Sequence, residues 1–372
     1  MDKFYLITFT PLGRFFFGSS DSWGESFYAK SLKFPTQTTI LGCIRRTLLK
    51  QNDKLDNTLR YPKEGSDFEE LTGTSPAKGF DEGDLNMGLI KKLSPTFITK
   101  LKENEKEIDE ILFPLPSDIY HDNINECKLQ TVKYEKKGEV ISSRGNVPGY
   151  KKLTEGKTYP AEILGNKEIW SAYFKSKAMD YNSDYEIDKI IISTSQPGIA
   201  RENRNKQEGE FYRKKDFMLT AGYCFGVVVE ADKSFTDKLK DDFVFLGGEQ
   251  SKFQLKVSQL DKTVQEKFPA GFEKFFNSYD PAVDNISTNA EKIVFLSHFI
   301  QNDKPVGIEH SAIEKMETIR SLNESGHKTY SFRVIPAGSV IYADGNFSFN
   351  NVYKFASKIG YNFFIEINQE IK

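Results

Sequence analysis

An α+β fold, with an antiparallel sheet carrying helices on one face, is what this sequence predicts. Three observations lead there. Lys3 to Thr10 alternates as a strand does, and is followed by an amphipathic segment, Thr36 to Lys50, at helical spacing. The β-branched run Lys189-Ile190-Ile191-Ile192-Ser193-Thr194 and the later stretch Phe217 to Ala231 read as strands on either side of a polar excursion. A short helix from Asp232-Lys233-Ser234 to about Lys240 then leads into a strand at Phe243-Val244-Phe245-Leu246. In order the elements are β, α, insertion, β, finger, β, α, β, which is the split βαβ arrangement of ferredoxin-like and RRM domains.

Each element has a local reason. Pro35-Thr36 starts the helix, because Thr caps orphan backbone N–H groups, and Ile40, Leu41, Ile44 and Leu48 then fall on one face. Between strand and helix, Gly13-Arg14-Phe15-Phe16-Phe17-Gly18 and Ser19 to Gly24 interleave aromatic, basic and hydroxyl groups in a long loop suited to touching RNA or a neighbouring subunit. From Gln51 to Asp188 the pattern is irregular. It holds one amphipathic stretch (Ile98, Leu101, Ile108, Leu112) and a Lys-rich segment, 128 to 157, kept loop-like by Gly145, Pro148 and Gly149; it reads as an insertion. A fainter second round follows: a strand from Lys292 to Ile300, a helix around Ala312 to Leu322, strand material at Ser331 to Tyr342, a helix from Val352 to Lys358 and a strand from Tyr361 to Ile367. The expected division is therefore 1–260, with an insertion at 51–188 and a basic finger at 201–216, and 285–372.

With 372 residues the chain can bury a core in each of two domains. The formal net charge of -2 excludes a uniformly basic coat, so any affinity for phosphate has to come from local patches. Cys43, Cys127 and Cys224 lack the spacing of a metal knuckle, and their small number fits a reducing cytoplasm. No stretch approaches the roughly 18 apolar residues of a membrane span.

Two glycine turns on strand-like flanks, Phe245-Leu246-Gly247-Gly248-Glu249 and Arg333 to Tyr342 around Pro336-Ala337-Gly338-Ser339, permit tight bending and close approach of a partner's backbone. Ordinary hairpin turns have the same composition. The finger, Arg201-Glu202-Asn203-Arg204-Asn205-Lys206 with its return Tyr212-Arg213-Lys214-Lys215, combines cations for phosphates with a ring for base stacking. A solvated hairpin tip balanced by Glu202, Glu208, Glu210 and Asp216 fits equally. Arg45 and Arg46, on the polar side of the first helix, suit phosphate contact or pairing with acidic neighbours. Neither turn is a P-loop or dinucleotide fingerprint, and His121, His298, His310 and His327 show no metal-ligand spacing. No catalytic centre is expected, His327-Lys328 beside Tyr330 being the one cluster suited to acid–base chemistry.

Phe34-Pro35-Thr36, Gly198-Ile199, Glu208-Gly209 with Phe211-Tyr212, Leu246-Gly247-Gly248-Glu249, and Arg333 with Pro336-Ala337-Gly338-Ser339-Val340 occur in that order along most of the chain. Together they resemble the third-subunit family of the Cmr (type III-B) CRISPR effector complex, within the RAMP superfamily. The resemblance implies two RRM-like domains in tandem and a non-catalytic RNA-binding subunit, without cofactors, that anchors the 5′ handle of CRISPR RNA in defence against foreign nucleic acid. It implies as partners the large polymerase-type subunit and a backbone subunit, with target RNA met only indirectly. Under it, Arg201, Arg204, Arg213 and Lys214 are the candidate backbone contacts, Tyr212 the stacking residue, and Gly247, Gly248, Gly338 and Ser339 the points of close approach. The RAMP glycine-rich loop is reduced here to Gly360-Tyr361-Asn362. An enzyme alternative is a RAMP endoribonuclease maturing CRISPR RNA through His327; a protein-only assembly module is a third.

Overall fold

The computed structural model describes residues 3–18, 28–56, 58, 62–63, 67–73, 86–102, 107–121, 128–131, 134–142, 145–152, 162–177, 179–180, 182–199, 211–277, 286–300, 306–312, 317–322, 328–349 and 352–368. Its first strand, β1 (Lys3–Pro11), buries Tyr5, Ile7 and Phe9 on one face. After the short strands β2 (Phe17–Gly18) and β3 (Tyr28–Leu32) comes helix α1 (Gln37–Gln51), capped by Thr36, whose side chain accepts from the Thr39 N–H. Ile40, Leu41, Ile44 and Leu48 of α1 are buried in the same core as the β1 residues, as their spacing requires. At the other end, the Asn52 amide caps the helix by donating to the Leu48 carbonyl, 2.8 Å.

The region expected as an insertion enters the central sheet. Strands β4 (Ile90–Leu93), β5 (Phe97–Leu101) and β6 (Ile108–Pro114) lie there, followed by the finger strands β7 (Ile191–Ile199) and β8 (Phe211–Leu219) and the strand β9 (Tyr223–Ala231). The single strand expected over Phe217 to Ala231 is thus two, divided at the turn before Tyr223, where Gly222 has φ 85°. Helix α2 (Phe235–Lys238) and strands β10 (Asp242–Phe245) and β11 (Lys252–Gln259) complete the unit.

β1 pairs antiparallel with β9 on one side and with β11 on the other, while β9 pairs antiparallel with β4 and β5. β1 and β5 therefore run parallel with β9 between them, and α1 lies in the crossover that links them. Likewise β9 and β11 are parallel across β1, linked through α2 and β10. The Lys-rich segment is not loop-like where it is described: Tyr134–Ser142 and Gly145–Lys152 pair as antiparallel strands, with a register shift between Pro148 and Tyr150.

The second half holds β12 (Lys292–Phe295), β13 (Val306–Ala312), β14 (Val340–Phe349), α3 (Lys354–Lys358) and β15 (Phe364–Ile367). β12 lies between β14 and β15, and β13 pairs with β14, every pairing being antiparallel. The strand expected over Lys292 to Ile300 breaks into β12 and the separate pair Phe299–Ile300. The helix expected around Ala312 to Leu322 is a strand, Glu317–Leu322, paired with Lys328–Ile335. Apolar residues at helical spacing are overruled there by cross-strand pairing.

The two halves share buried contacts. Gln37 donates from Nε2 to the carbonyls of Ser94 and Gly360, each 3.0 Å, and accepts from Thr96 Oγ1 at 2.8 Å. A Cβ at Gly360, where φ is 96°, would lie 2.4 Å from Ser94 O, so only glycine closes this junction. Tyr361 and Asn362 beside it are buried, which turns the reduced glycine loop inward. No helix among the described residues is long and apolar enough to cross a membrane.

Candidate nucleic-acid interface

The base of the finger is a strand ladder. β7 and β8 pair antiparallel up to Gly198↔Tyr212 and Ile199↔Phe211. Arg201 and Arg204 lie beyond that point, outside the described residues, and for Tyr212 and Arg213 the backbone position alone is described. β8 also runs parallel to β3, matching Arg213 with Tyr28, Lys214 with Ala29 and Lys215 with Lys30. This register sets Lys215 opposite Lys30, with Arg213 two positions before it on β8 and Lys214 at the alternate position between them.

Backbone bonds fix that ladder to the first unit. The Phe15 N–H donates to Phe217 O at 2.8 Å and the Phe217 N–H returns to Phe15 O at 3.0 Å. Next to it the Gly247-Gly248 turn closes on Phe16. The Gly248 N–H donates to Phe16 O (2.8 Å), the Phe16 N–H to Ser251 Oγ (3.0 Å), and Ser251 Oγ to Gly248 O (2.7 Å). Gly247 has φ 88°, and a Cβ there would lie 2.6 Å from Phe16 O. The close approach expected of this turn is thus made first to the chain's own loop.

Lys214 stands at the meeting point. Its Nζ is 3.1 Å from Asp216 Oδ1, 3.6 Å from Glu249 Oε2 and 5.1 Å from the centre of the Phe16 ring. Asp216 is buried and needs a counter-charge, so Lys214 is committed internally and positions the ladder. Sequence reasoning placed Lys214, Gly247 and Gly248 among the candidates, and the fold brings all three to Phe16. That ring was legible only as one aromatic among several in the loop.

A family model described as CRISPR-associated protein (Cas_Cmr3) matches residues 7–275, well over half of the chain. The chain belongs to the Cmr3 family. It is accordingly a type III CRISPR effector subunit. Among solved structures it is similar to a chain in the cryo-EM structure of the Type III-B Cmr-beta bound to cognate target RNA and AMPPnP (17% identity, TM-score 0.50, 98% of this chain and 97% of that one). It is similar as well to a chain in the Type III-B Cmr-beta bound to cognate target RNA (16% identity, TM-score 0.50, again 98% and 97%). These likenesses bear on the fold, which is mixed α/β with mostly antiparallel sheets. No curated protein matches the chain significantly.

Other candidates lie apart from the finger in this Cmr3-family chain. Arg46 is exposed on α1, whereas Arg45 is half-buried and burial pushes its guanidinium down to about 10, so Arg45 is not on the solvent face expected of it. Gly338 and Ser339 are buried. The Gly338 carbonyl accepts from the Ser117 N–H (2.7 Å) and Ser117 Oγ (3.1 Å), and the Gly338 N–H donates to Phe295 O (2.7 Å). This second turn therefore joins the halves of the protein, and its close approach is to Ser117, not to an outside polymer. His327 lies outside the described residues, and among those described no group of three or more His, Cys, Asp or Glu could hold a metal ion.

A cluster the sequence did not reveal sits near that turn. Asp118, fully buried, accepts from Tyr173 OH (2.9 Å) and Tyr342 OH (2.6 Å) and pairs with Lys292 Nζ at 2.6 Å. Lys292 Nζ also lies 4.2 Å from the Tyr173 ring centre. Burial lowers the Lys292 ammonium, with Asp118 opposing that shift, and burial raises Tyr173. The four groups come from separate segments of the chain and share no local motif.

Proposed function

We propose that this chain is the non-catalytic RNA-binding subunit of a type III-B CRISPR effector, anchoring the 5′ handle of CRISPR RNA and joining the large polymerase-type subunit to the backbone filament. The observation that carries the proposal is the β8–β3 ladder, which sets Lys215 opposite Lys30 and Arg213 two residues before it at the base of a basic finger. Cations two residues apart on a strand share a face and neutralise phosphates along it, and Tyr212 next to them supplies a stacking ring. In this reading Arg201, Arg204 and Arg213 grip the backbone, Lys214 holds the platform in place, and the Gly247-Gly248 turn sets its edge.

The fold is read as two tandem ferredoxin-like units, 1–260 and 285–372. Supporting this, β1 and β12 each lie between two antiparallel neighbours in the same relative order. The second unit lacks a crossover helix between β12 and β13 among the described residues. In this reading the other subunits, and target RNA only indirectly, are met in the cytoplasm within the ribonucleoprotein.

The test is charge reversal at Arg204 and Arg213 in the full chain, with binding to a labelled 5′-handle RNA followed across a salt series. Removing cations that neutralise phosphates should weaken binding and flatten the salt slope by about 0.7 for each phosphate freed on a single strand. Unchanged affinity and slope would reject the role of the finger. Metal-free cleavage of precursor RNA by the isolated chain, abolished in His327→Ala, would replace the proposal with the nuclease.

A further inference from the structure

We infer that the outer face of β1, β11 and β10 is a second contact for single-stranded nucleic acid, with Phe243 and Phe245 as stacking surfaces and Lys252 as a phosphate partner. This rests on the RNA-binding reading above and extends the RNA path beyond the finger. Phe243 is 65% exposed and Phe245 43%, on an edge strand whose intervening Val244 is buried. Two residues apart on one strand, they share a face with Cα atoms about 6.6 Å apart.

The register supplies the rest of the surface. Phe245 faces Lys252 and Phe243 faces Gln254 across β10 and β11. On the far side of β11 the Leu12 N–H donates to Lys252 O at 2.9 Å, and Leu12 is 54% exposed. Exposed Lys252 is thus set between Phe245 and Leu12, in the middle of the patch. Protein interfaces keep lysine out of their cores, whereas surfaces for single-stranded nucleic acid interleave rings with cations. Pairing by an added strand is disfavoured too, since the Phe243 N–H is already taken by Asp242 Oδ1 at 2.8 Å. A carboxylate does stand at the far end, where Asp241 Oδ1 accepts from the Val257 N–H.

The patch is continuous with the finger base. β10 runs into the Gly247-Gly248 turn that closes on Phe16, beside Lys214, and β11 leaves it at Lys252. A strand held at the finger can therefore cross the turn and lay bases on Phe245 and then Phe243.

The experiment measures anisotropy of a fluorescein-labelled, mixed-sequence single-stranded RNA, long enough to span both surfaces, on the full-length chain. Wild type is compared with Phe243→Ala/Phe245→Ala, with Lys252→Glu and with the finger variant Arg204→Glu/Arg213→Glu. Loss of one stacked base should weaken binding roughly 5- to 150-fold, and Lys252→Glu should also weaken it and reduce the salt slope. As an independent readout, the ring introduced by Phe243→Trp should retain affinity and be quenched by RNA. Wild-type affinity in the double alanine variant, with the finger variant impaired, overturns this inference and leaves the finger in place. Wild-type RNA affinity combined with failure to enter the effector complex overturns it in favour of a protein contact, and absence of RNA binding by the wild-type chain overturns both readings.

Discussion

Replacing Asp118 by Ala tests whether the two halves are held by a buried charge or by apolar packing alone. The carboxylate is fully buried and is met by Lys292, Tyr173 and Tyr342. Deleting it leaves an ammonium with 12% of its side chain exposed and two tyrosine hydroxyls without that acceptor. Stranding one partner of a buried pair costs about 3–5 kcal/mol, and each orphaned hydroxyl adds up to about 1–3 kcal/mol. Because the groups relax together, about 4–6 kcal/mol is the expected loss, or about 8–12 °C in melting midpoint at about 2 °C per kcal/mol for a chain longer than 150–250 residues. Asp118→Leu/Lys292→Met removes both charges and leaves the hydroxyls alone, so its cost should fall to about 2 kcal/mol, below either single change. Urea and thermal unfolding of Asp118→Leu, Lys292→Met and the double variant, with midpoints and slopes compared, complete the cycle. Single changes costing under about 1 kcal/mol, or a double variant equal to the sum of the singles, would refute the account.

Gly247→Ala should distort the turn on Phe16, because its Cβ has no space at 2.6 Å from a backbone oxygen and φ is 88°; a loss of about 1–3 kcal/mol is expected by urea unfolding, together with weaker RNA binding. Lys274 lies 4.4 Å from the Phe364 ring centre, and burial lowers its ammonium to about 8. Its neutral form is favoured on folding, so between pH about 8 and 10.4 the unfolded chain holds the extra proton and stability rises with pH; the rise should be smaller in Lys274→Met when urea midpoints are followed across that window. Truncating Trp170, fully buried beside Tyr173 with ring centres 5.8 Å apart, to Ala should cost about 3–5 kcal/mol in thermal unfolding.

Much of the first unit was legible because its signals are local. Alternation along β1, the Thr36 cap and the spacing of Ile40, Ile44 and Leu48 each specify an element without reference to the rest of the chain. The strands β4, β5 and β6 were hidden for a physical reason. Phe97, Ile98 and Thr99 are all buried, so period-two alternation disappears, and Ser94-Pro95-Thr96 interrupts the run between β4 and β5. Around residues 312 to 322 the expected helix gave way to a strand, since pairing with Lys328–Ile335 decides the conformation. At the candidate site the basic residues were legible as composition. What no local pattern conveys is that Lys214, Gly248 and Phe16, separated by some two hundred residues, meet at one point.

On the RNA-binding role proposed above, that meeting point would let a chain with formal charge -2 address an anion. Uniform charge would attract phosphate everywhere and define no register. Here the buried Asp216 and the exposed Glu249 hold Lys214 against Phe16, so acidic residues at the finger base orient the ladder instead of cancelling it. Rigidity then comes from the interior: Gln37 joins Ser94 to Gly360, and Asp118 joins Tyr173 to Lys292 and Tyr342. If the proposed anchoring role holds, the site needs supports that do not move when the polymer pulls, because any slack at the anchor becomes an error in register along its length. Mutations in the Asp118 cluster that leave the chain folded should therefore loosen positional precision before they reduce RNA affinity. Hydroxyl-radical footprints of the bound RNA would show this as blurred protection boundaries at unchanged occupancy, and sharp boundaries in a variant with a broken cluster would separate the interior contacts from the anchoring function.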